Sequence, residues 1–327
     1  MDVIALDVGS RKHAVAASDA RLGASTEVAN EVDALRKMFS AIARKAPNAW
    51  VVMEATGVYH WQAAMLGHKA GLKVAVLNPK VTANFARALG ERNKTDRVDA
   101  QVLLRYAQSI PVLAWQPPRE AVTELRSLSR HLLVLTQQLI AARNRLHAEQ
   151  ADGEASAFVL RAYRQEIKQL EAKIAKTTAE ALKVVRGDAV LAAQFAALDS
   201  IRGVAAASAI ALLGELAAMP EDMNARACVA HAGLDVRQHQ SGTSVARPGR
   251  ITKHGNRHLR RALYMPALVA ISHDPHAKAF YERLKAKGKK PMQALCAVMR
   301  KMLTAAWALM KSRGTYDGAR LYATVEG

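Results

Sequence analysis

From residue 1 to about 115 the chain alternates between strand and helix signals in the order βββαβαβα, and few sheet architectures accept that order. Residues 3–8 and 13–18 read as strands around a tight turn, and a second turn at 19–23 leads to a short third strand at 25–29. Strands joined by such short turns pair antiparallel, so the chain opens as a meander. Residues 32–43 are an amphipathic helix and 50–53 a buried-strand run. Residues 59–70 are a second helix, and 73–77 another buried strand that stops at Asn78-Pro79.

A meander followed by βα units is the ribonuclease-H-like arrangement, a mixed sheet with flanking helices. The grammar changes after Gln116-Pro117-Pro118. Leu125, Leu128, Leu132, Leu135, Leu139, Ala142 and Leu146 recur at spacings of three and four, and Leu160, Tyr163, Ile167, Leu170 and Ile174 repeat the pattern after a turn at 151–153. That is a heptad seam. Two helices packed on their own domain account for it, as does a protruding coiled-coil hairpin that pairs subunits, which is the reading adopted. The remainder is mainly helical. It begins at a glycine turn, Ser200-Ile201-Arg202-Gly203-Val204-Ala205, that is helix-hairpin-helix-like but has Ala205 in the place of a second glycine. The expected organisation is α/β plus α, with domains at 1–115, 116–190 and 191–327.

Charge selects the partner. Lys and Arg number 47 against 28 Asp and Glu, a net +19, which favours a polyanion. A membrane surface would call for a basic helix with an aromatic opposite face, and stacking on single strands would call for aromatic platforms; only 5% of residues are aromatic. The richest apolar stretch, 205–219, is too short to span a bilayer and is broken by Ser208 and Glu215. The first residues lack the basic start of a signal peptide, and Cys228 and Cys296 lack CxxC spacing. A cytoplasmic, nucleoid-associated protein is expected.

The candidate chemistry lies with four acids. Asp7 ends the first strand and Glu54 ends a later one, while Asp96 and Asp99 begin a helix and share one face. Strand ends in such a sheet converge at one edge. Four carboxylates together repel one another without a cation, and hard oxygen donors suit Mg²⁺ or Mn²⁺. Two such ions ~4 Å apart activate an attacking oxygen and stabilise a leaving oxygen in phosphodiester displacement. Singly, each acid also fits a strand end, a solvated position or a helix N-terminus. His254 and His258 have i,i+4 spacing without further zinc ligands nearby, and Gly9-Ser10-Arg11-Lys12 lacks the spacing of a phosphate loop. Between residues 241 and 290, twelve Lys and Arg face only Asp274 and Glu282, a net +10. Within it the segment 247–261 is read as tracking phosphates.

Several blocks then carry a resemblance. Asp7, Glu54-Ala55-Thr56-Gly57, Asn78-Pro79 and the run 92–100, RNKTDRVDA, resemble the successive blocks of the DEDD transposases of bacterial insertion sequences. Ala232-Gly233-Leu234, Ser241-Gly242-Thr243-Ser244, Lys253-His254-Gly255-Asn256 and the run 259–267, LRRALYMPA, resemble that family's C-terminal transposase domain. Ala5 departs from the glycine many relatives carry two residues before the first aspartate.

The resemblance implies a RuvC-like catalytic domain, a coiled-coil middle and a transposase domain supplying a serine nucleophile. Asp7, Glu54, Asp96 and Asp99 become metal ligands for Mg²⁺ or Mn²⁺, and Ser241 the nucleophile, although Thr243 and Ser244 offer hydroxyls beside it. Attack by serine would leave the protein joined to a DNA end and conserve the phosphodiester energy for rejoining. The resemblance further implies donor and target DNA, a noncoding bridge RNA that does the sequence reading, and a homo-oligomer, dimer or tetramer. Lys94, Arg97, Arg247, Arg250, Lys253, Arg257, Arg260 and Arg261 are the expected nucleic-acid contacts. The rivals are a RuvC-type junction nuclease that forms no covalent bond to DNA and a non-catalytic basic nucleic-acid-binding protein.

Overall fold

The computed structural model describes residues 1–22, 26–55, 57, 59–91, 93, 95–241 and 245–323. They form two compact units, Met1–Pro117 and Pro118–Gly327.

In the first unit β1 (Val3–Val8), β2 (Lys12–Ala17), β3 (Glu27–Ala29), β4 (Trp50–Glu54) and β5 (Lys73–Leu77) make one sheet in the order β3-β2-β1-β4-β5. The first three pair antiparallel as the short turns dictate, whereas β1, β4 and β5 run parallel. Parallel strands need crossovers, supplied by α1 (Val32–Lys45) and α2 (His60–Lys69). Alternation along the strands then divides the core. Ile4, Leu6, Val8, Val51, Met53 and Val74 face one way and pack with Leu35, Phe39, Ile42, Ala63 and Ala64. Val3, Ala5, Ala14, Ala16, Val52 and Ala75 face the other and pack with Ala100, Leu103, Leu104 and Ala107 of α4 (Asp96–Ser109). The alanines on this second face let α4 lie close to the sheet. Before α4 comes α3 (Pro79–Ala88), capped by the Asn78 side chain, which accepts from the Lys80 N–H, with proline at its first position.

The second unit begins with α5 (Glu120–Asp152) and α6 (Ala157–Gly187), a long helical hairpin. The leucine seam is closed within the chain: Leu135 and Ala142 pack with Leu170, Leu139, Ile167 and Ile174. Nearer the base, Val122, Leu125, Leu132, Ala181 and Val185 join the large C-terminal core. The segment 116–190, expected as a separate domain, is thus built into the unit that follows it. Heptad spacing reports which face is buried but not what buries it.

That core continues through α7 (Ala189–Asp199), α8 (Ala206–Leu216), α9 (Ala225–His231), α10 (Arg257–His273), α11 (Pro275–Ala286), α12 (Pro291–Ser312) and α13 (Gly318–Tyr322). The unit is mainly helical and carries one element that was not foreseen. An antiparallel hairpin, β6 (Val236–Ser241) and β7 (Val245–Ile251), stands between α9 and α10 with a register shift between Arg237 and His239. At the helix-hairpin-helix-like turn, Gly203 has φ +96°, and a Cβ there would stand 2.7 Å from the Pro266 carbonyl oxygen. This glycine therefore serves close packing of the turn against α10. Gly203→Ala is expected to destabilise the protein by about 1–3 kcal/mol in urea unfolding; a neutral result would show that the turn does not press on α10.

Among the described residues no helix is long and apolar enough to cross a membrane, and Cys228 and Cys296 are free.

Candidate functional site

Two adjacent parallel strands place the first two acids. Leu6 of β1 pairs with Met53 of β4, so Asp7 and Glu54 each follow directly at the same sheet edge. Period-two alternation puts Asp7 with Val3 and Ala5, and Glu54 with Val52, on the face that α4 covers. Helix α4 begins at that edge, where the Thr95 hydroxyl accepts from the Val98 N–H at 3.3 Å. Asp96, Asp99, Leu103 and Ala107 then recur at spacings of three and four, so the face that packs on the sheet also bears the two acids.

Asp7 senses the other three carboxylates. Burial and the charges of Asp99, Asp96 and Glu54, against a hydrogen bond from the Val8 backbone, push the Asp7 carboxyl up from 3.8 to about 6. Asp7, Glu54 and Asp99 are half-buried, and Asp96 is exposed. Among the described residues no group of three or more His, Cys, Asp or Glu side chains is drawn together tightly enough to hold a metal ion. The donor set is all oxygen, which is the chemistry a hard divalent ion takes.

Sequence reasoning missed Thr82. It is 4% exposed, and its hydroxyl lies 2.5 Å from Glu54 Oε2 and 2.9 Å from the Pro79 carbonyl oxygen. The readable signal was Asn78-Pro79, which fixes the start of α3 and puts residue 82 in its first turn.

In the second unit Ser241 is the last residue of β6 and pairs with Val245 at the hairpin tip. Gly242, Thr243 and Ser244 lie outside the described residues, as do Lys94, Arg92 and Thr56. The hairpin is fastened at its neck. The Lys253 N–H donates to Gly233 O, and the Asn256 N–H to His231 O at 2.7 Å. A Cβ at Gly255 (φ +111°) would stand 2.1 Å from His231 O, and one at Gly233 2.3 Å from His254 O. The Gly233 and Gly255 blocks are where two backbones cross.

Beneath the neck lies a second feature that sequence reasoning missed. Glu215 of α8 is 1% exposed and accepts from Arg130 Nε at 2.5 Å, Arg126 Nε at 3.3 Å and Asn256 Nδ2 at 2.7 Å. Burial alone would raise its carboxyl, but hydrogen bonds from Arg130 and Asn256 and the charges of both arginines hold it below the usual range. Asn256 also caps α10 through the His258 and Leu259 N–H groups. Burial, with Arg126 near His231 and Arg130 near His258, lowers both imidazoles.

The residues expected to contact nucleic acid sit in different settings. Arg97, Arg250, Lys253, Arg257 and Arg261 are exposed, and Arg247 sits on β7. Arg260 instead directs Nη1 to the Ala232 carbonyl oxygen at 2.9 Å, making it part of the neck.

Comparison with known proteins adds two matches to family models. Residues 4–149 match one described as "Transposase", for DEDD transposases of the IS110 type, and residues 196–282 match "Transposase IS116/IS110/IS902 family". The chain is 30% identical over 274 residues to the "Pilin gene-inverting protein" of Moraxella bovis, covering 82% of this chain and 81% of that protein. The protein of the same description in Moraxella lacunata gives the same figures. An "Insertion element IS110 uncharacterized 43.6 kDa protein" of Streptomyces coelicolor is 31% identical over 129 residues, 39% of this chain and 31% of that protein.

Proposed function

The chain belongs to the IS110 family of transposases, and from that premise we propose that it cuts and rejoins DNA by serine-linked, divalent-metal-dependent strand exchange. Asp7, Glu54, Asp96 and Asp99 would hold two Mg²⁺ or Mn²⁺ ions, which when bound supply charge neutralisation at the phosphate and at the leaving oxygen. The observation that carries the reading is the Asp7 carboxyl raised to about 6 beside three other acids at one sheet edge. Placing Asp7 where burial and three neighbouring acids disfavour its charge is unfavourable unless a cation joins them.

Ser241 Oγ is the proposed nucleophile. Its bond to phosphorus forms as the bond to one deoxyribose oxygen breaks, and that oxygen leaves as a hydroxyl. A hydroxyl from another strand then attacks the phosphoserine, restores the phosphodiester and frees Ser241. The exchange needs no ATP, because each bond broken is replaced by one of like energy. Excision, insertion or inversion follows from which ends are paired, and the relatives named for pilin gene inversion fit that range. A noncoding bridge RNA is the proposed reader of sequence. The net +19 of the chain supports polyanion partners.

The test supplies purified protein with Mg²⁺, the flanking RNA and both DNA substrates. A covalent adduct mapping to Ser241 by mass spectrometry is expected, with adduct and recombinant both lost in Ser241→Ala. Phosphate on Thr243 or Ser244 would overturn the nucleophile, and cleavage without any adduct would favour the junction nuclease.

A further inference from the structure

We propose that Thr82 is a positioning residue for Glu54, fixing its carboxylate for divalent-cation binding. The inference rests on the reading of the acid cluster as a metal site. Its starting point is the way α3 is anchored. Thr82 is the one buried residue of that helix, while Val81 on the same helix is 42% exposed. A helix held to a sheet by packing alone would bury valine or leucine there. Thr and Val have nearly the same shape, and burying the hydroxyl is unfavourable unless it has a partner.

The partner is Glu54 Oε2, at 2.5 Å. A hydroxyl has one proton, and the shorter of its two contacts is this one, the other being the Pro79 carbonyl oxygen at 2.9 Å within its own helix. The bond is braced from both sides. Asn78 and Pro79 set the first turn of α3, and Phe85 one turn later meets Tyr106 of α4 edge-to-face with ring centroids 5.2 Å apart. Thr82 therefore ties Glu54, at the end of β4, to a helix that is itself fastened to the one bearing Asp96 and Asp99. Partners that orient a metal-binding carboxylate typically change metal affinity 10–100-fold when removed.

Mn²⁺ binding to the full-length protein, followed by electron paramagnetic resonance without DNA, separates this role from a structural one. Wild type, Thr82→Val, Thr82→Ser and Asp7→Asn are compared, with a thermal melt in EDTA for each. Thr82→Val is expected to stay folded, melting only a few degrees below wild type, yet to bind Mn²⁺ at least about 10-fold more weakly. Thr82→Ser, which keeps the hydroxyl, should bind within about threefold of wild type, and Asp7→Asn should abolish the same binding. Asp7-dependent binding of unchanged affinity in Thr82→Val would overturn the inference alone. So would equal weakening in Thr82→Ser, because the methyl group and not the hydroxyl would then matter. Absence of Asp7-dependent Mn²⁺ binding in wild type would overturn the metal-site reading and the Thr82 inference with it.

Discussion

Asp7→Asn is expected to stabilise the metal-free protein at pH 8 and to abolish DNA strand exchange. In the folded chain the Asp7 carboxyl titrates near 6 instead of 3.8, first because it is buried and then because Asp99, Asp96 and Glu54 surround it. A raised carboxyl pKa means that ionisation burdens the folded state more than the unfolded one. Stability from this group is therefore complete below about pH 3.8, falls as pH rises through about 6, and is lower above that by about 1–2 kcal/mol once solvent screening of the half-buried carboxyl is allowed for. Asparagine keeps the shape and removes the charge, so thermal melts in EDTA should show a gain at pH 8 and none at pH 4. Added Mg²⁺ should close the gap by stabilising wild type only. Strand exchange should fall ~10³-fold or more, since metal stabilisation of phosphoryl transfer amounts to several kcal/mol. A variant that melts lower at pH 8, or one that still recombines, would remove Asp7 from the site.

Glu215→Ala is expected to cost about 3 kcal/mol and lower the melting temperature by roughly 6–12 °C. The carboxylate is 1% exposed and takes hydrogen bonds from two arginines and Asn256. Removing one member of a buried ionic group leaves its partners uncompensated, usually at 3–5 kcal/mol. The lower end applies here because the Arg126 and Arg130 side chains are 33% and 40% exposed and can turn to water. Replacing Glu215 by Leu together with both arginines by Met should recover most of the loss, because an apolar cluster of similar volume is often as stable as a buried ion pair. Calorimetry on the two variants decides it; an unchanged melting temperature in Glu215→Ala would show that the group is not holding the unit together.

What could be read in the amino-acid sequence follows from how strongly each element announces its burial. The strands around Val3, Val51 and Val74 are unbroken apolar runs, which central strands must be when both faces are covered. Asp7 and Glu54 were legible because each ends an apolar strand, and Asp96 and Asp99 because they open a helix at a three-residue spacing. The hairpin of β6 and β7 was not. Its strands read VRQHQS and VARPGRI, with little alternation, and backbone crossings at Gly233 and Gly255 fasten its neck. Leu125 to Leu146 showed a buried stripe but not that α6 and the C-terminal core bury it within the same chain. Arg260 reads as one more cation among many, and only the fold shows its guanidinium turned to Ala232.

The alanine face under α4 has a consequence for how the acids are spaced. Ala5, Ala14, Ala16 and Ala75 meet Ala100 and Ala107, so the depth at which this helix rests is set by carbon atoms that are not there. Enlarging any of these positions would lift the helix as a body and carry Asp96 and Asp99 outward with it, while every carboxylate stayed chemically intact. The ruler that measures the gap between strand acids and helix acids thus lies in uncharged interior positions beside them, where change of a single methyl can retune it.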